Sequence, residues 1–214
     1  KRFNPAAGLN FTPSAALTAY VSYSEGMRAP TPIELTCADP AAPCRLPNNF
    51  LADPPLEPVV AKTFEIGARG RWTDNFGWSA AAYRTDLDND ILFISSGGAV
   101  NAGYFQNAGK TRRQGLELGI QGRVQKLNLA VNYGYIDAIF DSSLTLNSPN
   151  NSSANANGDI QVSPGDKIPG IPAQSLKVRV GYDFTETVSA GTNIMVFSSQ
   201  YARGDENNQD VNGK

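Results

Sequence analysis

Histidine is absent from the sequence. Its absence removes the base of a Ser-His-Asp triad or a Cys-His pair, the ligands of an HExxH zinc helix, and any His-bound iron or haem. Charge is also scarce. Asp, Glu, Lys and Arg make up 18% of the chain and the formal net charge is -2, so no cationic surface is available for a nucleic-acid backbone. No run of about 18 apolar residues exists, which excludes a transmembrane helix. The opening Lys1-Arg2-Phe3-Asn4-Pro5 carries no apolar leader and no initiator Met. That opening is expected of a fragment of a longer chain or of mature-protein numbering.

Cysteine is nearly absent as well. The two present, Cys37 and Cys44, share one Pro-rich stretch. They are too few for a zinc site without His and too far apart for CxxC. The expectation is a local Cys37–Cys44 disulfide across a loop, in an oxidising compartment such as a periplasm or cell surface; two unpaired loop thiols are the alternative.

What the chain does have is turn formers and a period of two. It holds 20 Gly and 14 Pro among 214 residues, with 41% apolar residues. Leu127, Leu129, Val131, Tyr133 and Tyr135 alternate with Asn128, Ala130, Asn132 and Gly134. Leu116, Leu118 and Ile120 alternate with Glu117, Gly119 and Gln121, and Leu176, Val178, Val180 and Tyr182 with Lys177, Arg179 and Gly181. Phe64, Ile66 and Ala68 likewise oppose Glu65, Gly67 and Arg69. These are strands.

With weaker segments added, about eight strands are expected, over 4–11, 17–26, 62–72, 77–93, 103–124, 127–141, 173–184 and 188–201. Short turns fall near Pro13, Asp74, Gln125 and Glu186. Long connections fall between them, over 27–61, 94–102, 142–172 and after 202. Alternating short and long connections, an apolar outer face and a charged inner one describe a transmembrane β-barrel. Phe11, Trp72, Phe76, Trp78 and Phe184 gather near the short turns, where an aromatic girdle belongs. A soluble sheet with one wet face shows the same alternation but explains neither the loop lengths nor the aromatics.

Several segments, in order, resemble the later part of the barrel of TonB-dependent outer-membrane receptors. Gly26-Met27-Arg28-Ala29-Pro30 looks like the family's Gly-aromatic-Arg-Ala-Pro, with Met27 in the aromatic position. Asp53-Pro54-Pro55-Leu56-Glu57-Pro58 and Glu65-Ile66-Gly67 are similar to its Asn-Pro-x-Leu-x-Pro-Glu run and following Glu-x-Gly strand. Asp90-Ile91, Asn107-Ala108-Gly109, Gly115-Leu116-Glu117 and Ile168-Pro169-Gly170-Ile171-Pro172 continue the likeness.

The resemblance implies an all-β fold, an antiparallel transmembrane β-barrel, with this chain giving about eight strands of a roughly 22-stranded whole. Residues 1–214 would be a partial barrel domain without plug or closing C-terminal strand. The implied function is TonB-dependent uptake of a ferric siderophore or similar metal chelate at the bacterial outer membrane. TonB-ExbB-ExbD would act through the plug, in contact with outer-membrane lipid. No enzyme activity, cofactor, metal site or nucleic-acid partner is expected. Two alternatives stand beside it. One is a small complete eight-stranded barrel with a structural or adhesive role, against which the loop-like ending argues. The other is a soluble hydrolase using carboxylates among Glu25, Glu34 and Glu65.

Arg28, Arg113 and Lys177 are the candidate ligand-binding residues, because cations near the outer mouth attract an anionic chelate. Arg113, by its parity with Glu117, faces the lumen and Arg112 does not. Arg69, Arg71 and Arg123, near the short turns, are placed to meet a plug. Asp86-x-Asp88-x-Asp90 copies the start of an EF-hand, but Ile91 and Gly97 occupy positions that need Gly and Glu; it reads as a hydrated strand extension. Arg203-Gly204-Asp205 and Asn150-Asn151-Ser152 read as chance matches in loops. The polar 142–172 connection is expected to lack the apolar surface to fix one shape on its own, and reads either as an extracellular loop that orders over ligand or as a merely solvated loop.

Overall fold

Strands alternating at period two can bury or present only one face at a time, and here they assemble edge to edge into a single antiparallel sheet. The computed structural model describes residues 2–36, 44–45, 56–95 and 102–213. The expected Cys37–Cys44 pairing falls outside the described residues. In chain order the elements are β1 (Ala6–Ser14), β2 (Leu17–Arg28), α1 (Pro32–Thr36), β3 (Cys44–Arg45), β4 (Val59–Thr73), β5 (Phe76–Asp88) and β6 (Ile91–Ser95). There follow β7 (Ala102–Asn107), β8 (Thr111–Val124), β9 (Leu127–Phe140), β10 (Leu144–Asn147), β11 (Asp159–Val162), β12 (Gln174–Asp183) and β13 (Ser189–Phe197).

The main sheet runs β1-β2-β4-β5-β8-β9-β12-β13, with β1 and β13 as its edges. Those edges do not pair with each other, so the sheet is open and is not a closed eight-stranded barrel. Register fixes the faces. Ala80, Leu118, Tyr133, Leu176 and Val196 form one row across five strands. The neighbouring row, on the opposite face, is Arg69, Ser79, Gly119, Asn132 and Lys177.

On the apolar face large side chains stand in the open: Phe11 is 64% exposed and Trp72 62%. Trp72 stacks on Trp78 with centroids 6.3 Å apart, beside the short turns. At about 3.4 Å per residue and a tilt near 40°, the stretch from Phe64 to Trp72 covers roughly 20 Å along a membrane normal. That is close to the apolar band of an outer-membrane barrel, about 25 Å tall.

Two strands expected to be continuous are broken. Asn89 (φ 57°) and Gly109 (φ 70°) take the left-handed conformation, which a strand cannot propagate. Between them Asp90 N donates to Gly109 O at 3.0 Å and Ala108 N to Asp90 O at 2.7 Å, forming a neck. Above the neck β6 and β7 leave the main sheet and join β3 in a separate one of order β3-β7-β6.

The 142–172 connection, short of apolar surface on its own, takes one shape by packing on its neighbours. This connection folds as the β10–β11 hairpin, and Leu146, Ile160 and Val162 are buried with Phe140, Ile94 and Ile168 in one core. Each such side chain contributes roughly 1.5–3 kcal/mol on full burial. The polar tip is covered by turns of residues 203–213: Asn151 Nδ2 donates to Gly204 O at 2.9 Å, and Ser148 Oγ to the same oxygen at 2.7 Å. Arg203-Gly204-Asp205 and Asn151 are therefore parts of one packed junction. The apolar core of the described chain thus lies at the long-connection end.

Candidate functional site

The polar face carries the candidate groups at three levels. At the long-connection end Thr31 caps α1, with Pro32 in the first helical position. Thr31 N donates to Glu34 Oε2 at 2.7 Å, and Glu34 N to Thr31 Oγ1 at 3.4 Å, a capping box. Arg28 Nη1 donates to the same Glu34 oxygen at 2.6 Å. Burial resists ionisation of Glu34, but Arg28 and the Thr31 donors outweigh it and hold its carboxyl below the usual range. Thr31-x-x-Glu34 is the sequence signature of this cap.

Arg113 lies on the same face as Glu117. Its Nη2 donates to Asp90 at 2.9 Å and its Nη1 to Thr111 Oγ1 at 3.1 Å, while Thr111 Oγ1 donates to Asp90 at 2.7 Å. Asp90 and Thr111 are buried. Asp90 is therefore not part of a hydrated extension; it braces the neck under β6 and β7. The Asn89 break separates it from Asp88, which pairs with Lys62 at 3.1 Å. Arg112, on the apolar-face side, pairs with Asp86 at 3.0 Å and Asp141 at 2.6 Å.

At mid-height the Tyr20 hydroxyl donates to Glu65 at 2.6 Å. The Tyr20 ring lies over Gly67, where a Cβ would come within 2.5 Å of it. Lys177 and Glu117 line one recess of about 200 Å³ with Ser79 and Asn132. Tyr20 ties two strands through Glu65, a pairing that no sequence motif marks and only register reveals. Glu25 takes the opposite face, paired with Arg2 at 2.6 Å, and Glu34 sits in α1. The three carboxylates of the hydrolase alternative are not brought together.

At the short-turn end a recess of about 850 Å³ is lined by Arg69, Arg71, Arg123, Arg179 and Asp74. Arg123 pairs with Asp183 at 2.8 Å, and Arg179 Nε donates to Asn193 at 2.9 Å. Arg69 and Arg71 have no ion-pair partner among the described residues. Among these residues no group of His, Cys, Asp and Glu is assembled that would hold a metal ion.

The chain that folds into this two-faced sheet matches a known family model, the TonB dependent receptor-like β-barrel, over residues 1–214. The chain belongs to that family. A probable TonB-dependent siderophore receptor, PiuA of Acinetobacter baumannii, is 26% identical over 197 residues, covering 91% of this chain and 24% of its own. The heme/hemopexin utilization protein C of Haemophilus influenzae is 29% identical over 150 residues, 61% of this chain and 21% of its own. The chain thus spans about a quarter of the length of the curated relatives it matches.

Among solved structures, a ferric enterobactin receptor (PfeA) of Pseudomonas aeruginosa aligns over 98% of this chain and 30% of its own. Its TM-score is 0.62 at 16% identity. TonB-dependent receptor barrels therefore supply the fold, and their wall geometry places the apolar face outward and the polar face in the lumen.

Proposed function

We propose that the complete protein is an outer-membrane receptor that takes up a ferric siderophore or similar metal chelate, driven by TonB-ExbB-ExbD. The observation that carries this reading is the division of one sheet into an exposed apolar face and a polar face, topped by folded hairpins at the long-connection end. The relatives support it, since the curated ones are named as a probable TonB-dependent siderophore receptor and a heme/hemopexin utilization protein. In this reading residues 1–214 are part of the barrel, and Arg69, Arg71 and Arg123 meet a plug domain at the short-turn end. Arg28, Arg113 and Lys177 border the ligand path. Arg28 and Arg113 do so as halves of ion pairs, and Lys177 beside Glu117.

Uptake of radiolabelled ferric chelates by iron-starved cells tests the proposal. Transport is expected to require both the intact gene and TonB. Equal uptake by cells lacking either one would overturn it. Arg71→Glu is expected to weaken retention of the plug, read as increased antibiotic leakage through the barrel.

A further inference from the structure

We infer that this sector of the mouth selects a neutral or positively charged metal chelate and disfavours a polyanionic one. The inference rests on the uptake reading above. Among the described residues, the two candidate arginines at the long-connection end are already matched by carboxylates. Arg28 is held by Glu34 at 2.6 Å and Arg113 by Asp90 at 2.9 Å, both on the lumen side. An anionic ligand reaching either guanidinium must displace a carboxylate, which exchanges one ion pair for another. At Arg113 it also strands a buried acid, and an unpaired buried charge is strongly unfavourable.

Among the described residues carboxylates, by contrast, are in excess there. Glu57 accepts from Asn89 at 2.5 Å, Asp159 from Asn147 at 3.0 Å, Asp166 from Ser163 N at 2.7 Å and Asp210 from Ser152 at 2.9 Å. All four are at least partly exposed, and none has an ion-pair partner among the described residues. The cations of this end that lack such a pair, among described side chains, are Lys110 and Arg203. Arg203 lies over the Phe93 ring, 5.6 Å from its centroid. Cations free of carboxylates gather at the other end, as Arg69, Arg71 and Arg179. A chelate therefore meets a sector of net negative potential first. Recognition here falls to hydrogen bonds and to attraction of positive charge.

The test uses the full-length receptor containing this chain, in detergent, titrated by quenching of its Trp fluorescence. Two iron complexes serve as probes: a ferric tris-hydroxamate, neutral or bearing a free ammonium, and a trianionic ferric tris-catecholate. The tris-hydroxamate is expected to bind at least roughly ten-fold more tightly, since like charges are juxtaposed with the other. Raising the salt concentration should narrow that gap by screening the repulsion. Glu34→Gln, which keeps a hydrogen-bonding partner for Thr31 but unmasks Arg28, should improve tris-catecholate binding relative to tris-hydroxamate about five-fold. If that variant does not fold, the salt dependence of the unaltered receptor decides alone. Tighter binding of the tris-catecholate, weakening as salt rises, overturns this inference and leaves the uptake reading intact. Binding of neither complex overturns this inference, while TonB-dependent uptake in iron-starved cells decides the uptake reading separately.

Discussion

Asn107 clamps the peptide unit of Glu57 from both sides. Its Oδ1 accepts from Glu57 N at 2.8 Å and its Nδ2 donates to Glu57 O at 3.0 Å, imitating a strand partner with a side chain. The same Nδ2 reaches Asn89 O at 2.8 Å. One amide thereby fastens the entry to β4, the left-handed break after β5 and the end of β7, three points remote in sequence.

Asn107→Ala is expected to release residues 56–58 and the neck together. The three hydrogen bonds lost, two exposed and one half-buried, are together worth about 1–3 kcal/mol locally. Hydrogen exchange on the full-length protein should show faster exchange at Glu57, Asp90 and Ala108, while β12 and β13 stay protected. Unchanged exchange at Asp90 would show that the clamp is not shared.

Asp90→Leu leaves Arg113 and Thr111 without their acceptor and should destabilise the fold by about 3 kcal/mol. The paired change Asp90→Leu with Arg113→Met removes both charges and should recover most of that loss. A double-mutant cycle on the temperature of unfolding from the heat-resistant to the heat-denatured band checks this. Additive effects would mean the pair is not coupled.

Glu206 sits in the turn that covers the β10–β11 tip, and burial, assisted by neighbouring Asp205, pushes its carboxyl up. Gly204 N, which donates to its Oε1 at 3.0 Å, and nearby Arg203 only partly oppose this. Tyr104 is the other titratable neighbour. The sign follows from the raised value. Stability from the neutral form is full below the ordinary Glu range near about pH 4.3 and is lost as pH rises through the higher folded value. The junction of residues 148–158 with 203–213 should be tightest in mild acid and loosen towards neutral pH. Glu206→Gln should flatten that dependence, as read by exchange of the Gln209 and Asp210 amides. A steeper dependence in the variant would contradict the assignment.

Leu118 stands on the apolar face and Ser22 on the lumen face. Leu118→Arg places a charge within the lipid band and should cost about 2–4 kcal/mol. Ser22→Arg, facing water in the lumen, should cost far less. The fraction of folded receptor in unboiled outer-membrane samples compares the two, and equal losses would refute the assignment of faces.

The sequence by itself determined the strands of the main sheet, which face of each is apolar, and the alternation of short turns with long connections. Those follow from a period of two, which local chemistry alone imposes: Leu118 and Glu117 must take opposite faces wherever the strand lies. Breaks inside strands were hidden, because Asn89 and Gly109 interrupt the period only through their backbone angles. Only the tertiary structure decided what Arg28, Arg113 and Asp90 do, since each side chain's partner comes from a different segment and the pairing cancels the charge the sequence displays. The same holds for the 142–172 connection. Its few apolar residues look insufficient when read alone, and they suffice once Phe140, Ile94 and the 203–213 turns close over them, because burial depends on neighbours in space.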